Sequence, residues 1–193
     1  MVLNRIRSQI QPIVNSIGFS LGRTGLPPTF WTAIGFGFSV IAGILYALRP
    51  NETYLAAVMI LASGIFDVLD GAVARVTNKV SRLGSFNDST LDRLAEVAVF
   101  GGIIYGGYLS PVLVLLALGL SLLVSYLRAK GESLGVPLSG IGIGERAERL
   151  IVLIIFSIIG YVWVGVIVVV ALALATFFQR YLAIYRVLSI QPK

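Results

Sequence analysis

The stretch YLAAVMILASGIFDVLDGAVARV, residues 54–76, is long and apolar enough to cross a membrane, yet it carries Asp67 and Asp70 well inside the run. A helix needs about 20 predominantly apolar residues to traverse roughly 30 Å of hydrocarbon. An aspartate at the centre of such a helix costs about 2.5–3.5 kcal/mol, and less toward the interface. Two conclusions follow: the chain folds in lipid, and something offsets the cost of these carboxylates.

Working outward, five further stretches meet the same length requirement: residues 29–48, 85–108, 111–130, 145–161 and 164–188. The expected fold is an all-α integral membrane domain spanning 1–193, with a six-helix bundle at 29–188. Composition agrees, because 57% of residues are hydrophobic and 12% charged, against about 45–50% and about 25% in soluble domains. Ahead of the bundle, residues 1–22 place Leu3, Ile6, Ile10, Ile13, Val14 and Ile17 at helical spacing, with Arg5, Arg7, Gln9 and Gln11 between them. That pattern predicts an amphipathic helix lying along the membrane surface. A signal peptide would need an unbroken apolar core, which these polar residues interrupt.

Threading six crossings puts every lysine and arginine on one side of the membrane except Arg49, whose only acidic companion there is Glu52. Basic residues collect on the cytoplasmic side, so both termini and the polar chemistry are expected there, in a multi-pass protein of the cell membrane. The formal charge of +6 is then a membrane-surface charge rather than a nucleic-acid footprint. The chain has no cysteine and no histidine. Thiol nucleophiles, zinc thiolates and His-dependent acid/base catalysis are excluded, and any such chemistry falls to the carboxylates.

Asp67 and Asp70 stand at i and i+3 near the cytoplasmic end of the second span, and Asp88 and Asp92 at i and i+4 at the start of the third. Residues so spaced share a helix face. A short connection makes the two helices antiparallel neighbours, so four acidic groups are expected to converge on divalent metal. All-oxygen ligation suits Mg²⁺, Mn²⁺ or Ca²⁺, as one ion or two. The competing explanation is helix capping, plausible for Asp88, or pairing with Arg75, Arg82 and Arg93; it leaves Asp67 and Asp70 unexplained. Between the pairs, Gly71, Ala74 and Gly84 leave room for a flat group against the backbone, and Arg75 offers a phosphate-matching fork. Small residues recur at Gly35, Ser39 and Gly43, and at Gly101, Gly102, Gly106 and Gly107, as expected for close helix packing. Gly142-x-Gly144-x-x-Ala147 imitates part of a dinucleotide fingerprint, but no strand precedes it and the match is coincidental.

Read together, Asp67-x2-Asp70-Gly71-x2-Ala74-Arg75-x8-Gly84-x3-Asp88-x3-Asp92 resembles, at every specified position, the signature of the CDP-alcohol phosphatidyltransferase family. The hydropathy pattern is similar over essentially the whole chain. The resemblance implies that an acceptor hydroxyl attacks the β-phosphorus of a CDP-linked lipid and CMP leaves. It implies Asp67, Asp70, Asp88 and Asp92 as ligands of Mg²⁺ or Mn²⁺, two ions per site, with Asp92 also the base. Gly71, Ala74, Arg75, Ser81 and Gly84 would hold the CDP group, with Thr29, Phe30, Trp31 and Thr32 helping. Family members often carry Thr where Ser81 stands, a change that keeps the hydroxyl. Ser125 to Glu132 and Glu145 to Leu150 are similar to the branch using inositol 1-phosphate, which implies Arg128, Arg149 and Arg180 as acceptor-phosphate contacts. Arg128 replaces a frequent Lys, keeping the charge but changing the geometry. The implied donor is CDP-diacylglycerol or CDP-archaeol, and the implied assembly a homodimer. Alternatives are a sibling enzyme using glycerol 3-phosphate or serine, and, from another class, a cation transporter.

Overall fold

The computed structural model describes residues 2–190, with side chains from Gln11 to Ser189. Lys193 and the side chains of Leu3, Arg5, Ile6, Arg7, Gln9 and Ile10 therefore lie outside the described residues. Among the described residues every regular element is a helix: α1 Val2–Gly22, α2 Pro28–Leu48, α3 Thr53–Val76, α4 Arg82–Tyr105, α5 Pro111–Ser133, α6 Arg146–Ile158 and α7 Val162–Ile190. Four of them, α2, α3, α5 and α7, are long and apolar enough to cross a membrane. The other two expected spans differ for identifiable reasons. The N-terminal half of α4 carries Arg82, Asp88, Asp92 and Arg93, and α6 has 13 residues, about 20 Å at 1.5 Å per residue.

Helix ends follow local chemistry. The C-termini of α5 and α6 are closed by left-handed Gly135 (φ 79°) and Gly160 (φ 81°). At each, two backbone bonds cap the last turn: Gly135 N–H to Glu132 O (3.0 Å) with Val136 N–H to Gly131 O (2.9 Å), and Gly160 N–H to Ser157 O (3.2 Å) with Tyr161 N–H to Phe156 O (2.8 Å). At the start of α4, the Ser81 hydroxyl accepts from the Gly84 N–H at 3.0 Å, an N-cap of the usual kind.

The chain divides into two compact units. The first contains the residues up to Ile41 together with Met59–Ala98. Here small residues let helices approach. A Cβ on Gly18 of α1 would come within 2.9 Å of the Ala72 Cβ on α3, and one on Gly35 of α2 within 3.2 Å of the Phe66 Cβ. Ser39 donates to Ser63 at 2.8 Å in the same buried contact, and Trp31 and Phe38 both stack on Phe66.

The second unit contains Ala42–Val58 and the described residues from Val99 onward. Leu120 and Val124 of α5 pack with Ala173 of α7, flanked by Val170 and Phe177. A Cβ on Gly102 would overlap the Gly43 carbonyl, and one on Gly106 the Tyr46 carbonyl. The expected packing role therefore belongs to Gly102 and Gly106, whereas Gly101 and Gly107 meet nothing within 4 Å. Two buried hydrogen bonds converge on Ser157: Tyr46 OH pairs with its Oγ at 2.6 Å, and Thr53 Oγ1 donates to its carbonyl at 2.6 Å.

Candidate active site

Asp67 and Asp70 leave α3 one turn apart, and Asp88 approaches from α4. One oxygen from each lies within 4.8 Å of the other two. At an effective dielectric constant near 20, two unit charges that close repel by about 3 kcal/mol. Asp70 is 6% exposed, and its Oδ2 is buried with no hydrogen-bond partner among the described residues. A buried, unsatisfied oxygen inside an all-carboxylate group is what a hard divalent cation would satisfy, so these residues fit Mg²⁺ or Mn²⁺.

Capping does not account for Asp88. Ser81 caps α4, and Asp88 lies well within the helix. Asp92 stands one turn further on and is not in the trio; its Oδ2 accepts from Arg93 Nη1 at 3.2 Å. Among the described residues, the structure thus brings together three of the four signature aspartates.

Beside Asp70 and Asp88 opens a cavity of about 550 Å³. Of the residues expected around CDP, Thr29, Thr32, Gly71, Ala74, Arg75, Ser81 and Gly84 all line it. Phe30 and Trp31 do not: Phe30 is exposed, and Trp31 stacks on Phe66. Helical rotation explains the split, because Thr29 and Thr32 share a face that the two intervening residues leave. The glycines are tight spots, since a Cβ on Gly71 would sit 3.3 Å from Arg75 Nη1 and one on Gly84 3.1 Å from Ser81 Oγ. Pro27, Pro28, Lys79, Val80 and Ser85 also line the cavity and were not anticipated. The N-terminal turns of α2 and α4 both reach it through Pro28, Thr29, Gly84 and Ser85, which favours an anion there.

In the second unit, Arg128, Arg149 and Arg180 have unequal roles. Arg128 is paired with Glu132 at 3.0 Å near solvent. Arg180, 2% exposed, donates to Ile141 O (2.8 Å), Val124 O (2.9 Å) and Glu145 Oε1 (3.1 Å). Arg149, 3% exposed, donates to Gly144 O at 2.7 Å. The charges of Glu145, Arg128, Arg149 and Glu132 all act on Arg180, so the three arginines belong to one charged cluster that also holds two carboxylates. The segment between α5 and α6 is strapped to α7 by further bonds: Ile143 N–H to Gln179 Oε1 (3.1 Å) and Gly144 N–H to Thr176 Oγ1 (2.8 Å). The two glycines of the apparent dinucleotide fingerprint have a packing reason. Gly142 has φ 123°, and Cβ atoms on Gly142 and Gly144 would run into Thr176 and Leu172.

Residues 26–181 match the sequence profile of the family described as CDP-alcohol phosphatidyltransferase. The chain belongs to this family. It is a transferase enzyme of phospholipid biosynthesis, and the transporter alternative gives way. Among relatives of this transferase, archaetidylinositol phosphate synthase of Pyrococcus horikoshii is 39% identical over 179 residues, covering 93% of this chain and 94% of that one. Its counterpart in Methanothermobacter thermautotrophicus is 38% identical over 191 residues, covering 96% and 95%. The crystal structure of Mycobacterium tuberculosis phosphatidylinositol phosphate synthase with CDP-DAG bound matches with a TM-score of 0.80 at 27% identity, over 90% of this chain and 94% of that one. A complex of that mycobacterial enzyme with manganese and citrate matches equally well, with a TM-score of 0.80 over 89% and 88%.

Proposed function

We propose that this transferase moves a phosphatidyl or archaetidyl group from CDP-diacylglycerol or CDP-archaeol to a hydroxyl of inositol 1-phosphate, releasing CMP. The observation that carries the reading is the three-carboxylate group at a cavity also lined by Arg75 and the N-terminal turns of two helices. Acidic groups for metal and cationic groups for phosphate on one wall suit phosphoryl transfer. The names of the archaeal relatives and the Arg128, Arg149 and Arg180 cluster support a phosphorylated inositol as acceptor.

Asp67, Asp70 and Asp88 would hold Mg²⁺ or Mn²⁺, with Asp92 completing a two-ion site. Bound there, the metal supplies positive charge to phosphoryl oxygens as the displacement proceeds. Asp92 takes the proton from the acceptor hydroxyl. The acceptor oxygen bonds to the lipid-linked phosphorus, and the bond from that phosphorus to the CMP oxygen breaks, its electron pair leaving with CMP. Thr32, Gly71, Arg75 and Ser81 hold the CDP group. Ser81 Oγ already accepts the Gly84 N–H, which leaves its own proton for a phosphate. Arg128, Arg149 and Arg180 take the acceptor's phosphate.

In the membrane, this reading has α2 to α7 making six crossings, α1 lying along the interface, and both termini and the active site cytoplasmic. Exposed Ile151, Ile155 and Ile158 of α6 recur at helical spacing, an outward apolar stripe suited to lipid. On α1, Ile13, Ile17 and Phe19 are exposed as an interfacial helix requires. The working unit is a homodimer, checked by its mass in detergent.

The test is purified enzyme with each CDP-lipid, Mg²⁺ or Mn²⁺, and one acceptor at a time, following CMP release and the mass of the lipid product. Inositol 1-phosphate is expected to support turnover. CMP release with glycerol 3-phosphate or serine but not with inositol 1-phosphate would overturn the acceptor assignment.

A further inference from the structure

We propose that Lys79 is a second cationic contact to the diphosphate of the CDP-lipid, a binding residue outside the signature pattern of the site. The proposal rests on the CDP-lipid reading above and adds to it the residue that shares the diphosphate charge with Arg75.

The argument begins at the end of α3. Asn78 has φ 55°, the one non-glycine residue with positive φ among the described residues. Its N–H donates to Arg75 O at 3.3 Å, and the next N–H, that of Lys79, donates to Ala74 O at 2.9 Å. These paired bonds are the same cap that closes α5 and α6 with glycine, and asparagine is the other residue that tolerates the left-handed conformation. Without the reversal, an extended chain would carry position 79 about 10 Å beyond the last helical residue, at roughly 3.3 Å per residue. With it, Lys79 folds back over its own helix end. Lys79 therefore lines the same cavity as Arg75, followed on the wall by Val80 and Ser81.

Charge points the same way. Asp70 and Asp88 also border the cavity, yet among the described residues neither Arg75 nor Lys79 makes an ion pair. Two cations left without carboxylate partners at a cavity are available to an anionic ligand. A diphosphate diester carries two negative charges, and beside a metal whose charge its aspartate ligands would largely offset, one guanidinium answers only one. When the phosphorus–oxygen bond breaks, the departing CMP phosphate gains another negative charge, which a nearby ammonium favours. Lysine suits this position because its charge is compact and its stem rotates, so it follows the phosphate from the bound diester to the leaving group.

Soluble probes test the idea directly. CDP and cytidine binding is measured on purified wild type, Lys79→Ala and Lys79→Arg with Mn²⁺ present, alongside CDP-lipid turnover. Lys79→Ala is expected to weaken CDP binding and raise the KM for CDP-lipid by about tenfold, the scale of a lost charged hydrogen bond. Cytidine binding, which involves no phosphate, is expected to be unchanged, and Lys79→Arg to stay within a few-fold of wild type. Lys79 is exposed, so folding is not at risk. CDP affinity and KM in Lys79→Ala within twofold of wild type would overturn the assignment while leaving the CDP-lipid reading intact. Wild type that neither binds CDP nor turns over CDP-lipid would overturn that reading and the Lys79 assignment with it.

Discussion

Replacing Asp70 by asparagine should separate stability from activity, and the geometry sets the direction of both. In the metal-free protein, three carboxylate oxygens stand within 4.8 Å of one another, and Asp70 is the member with a buried, unpartnered Oδ2. With all three ionised, each pair repels by about 3 kcal/mol at an effective dielectric constant near 20, and Asp70 takes part in two of the three pairs. Solvent around half-buried Asp67 and Asp88 and relaxation of the side chains reduce the relief to about 1–3 kcal/mol. Asp70→Asn in excess EDTA should therefore unfold several degrees above wild type, at about 2–4 °C per kcal/mol for a chain this long. Adding Mn²⁺ should reverse the order. Wild type gains about 2.7 kcal/mol at a hundredfold excess over its dissociation constant, and the variant, missing a ligand, gains little. The assay is thermal unfolding in detergent across a Mn²⁺ titration, with CMP release measured on the same samples. An Asp70→Asn protein that keeps both its Mn²⁺-dependent stabilisation and its turnover would refute the metal assignment. A variant less stable than wild type in EDTA would refute the repulsion argument.

Three other outcomes follow from particular contacts. Asp92→Asn should lower turnover by about 10²- to 10⁴-fold, the usual contribution of a general base. CDP-lipid binding should survive in that variant, and wild-type turnover would remove Asp92 from the mechanism. Gly144→Ala places a methyl group against Leu172, so a loss of about 1–3 kcal/mol is expected from overpacking. Because the strap carries Arg149 and Arg180 contacts, the KM for the acceptor should rise more than that for CDP-lipid, and an equal rise would count against the proposed acceptor cluster. Gly102→Ala drives a Cβ into the Gly43 carbonyl, a backbone atom that no rotamer change relieves; poor yield or a lowered unfolding temperature in detergent is expected, and wild-type stability would contradict the packing.

Much of the site could be read in advance because it depends on helical repeat. The spacing of Asp67 with Asp70 and of Asp88 with Asp92 sets each pair on one face of its helix, and the structure gathers oxygens of the first three. The same repeat turns Thr29 and Thr32 to the cavity, whereas Phe30 and Trp31, read in the same block, do not line it. The extents of α4 and α6 were less legible, since both depend on caps set by a few local bonds: Ser81 at the start of α4 and Gly160 at the end of α6.

What the sequence alone determined is an all-helical chain in lipid with an acidic group on two helices, because rise, rotation and transfer cost per residue are local quantities. Tertiary structure alone decided that Arg180 clasps the segment between α5 and α6 and that Gly142 and Gly144 lie against α7. These depend on contacts across about 30 or more residues, from Gly144 to Thr176 and from Ile141 to Arg180. No periodicity encodes such contacts, which arise only once packed helices bring distant backbone groups within hydrogen-bonding reach.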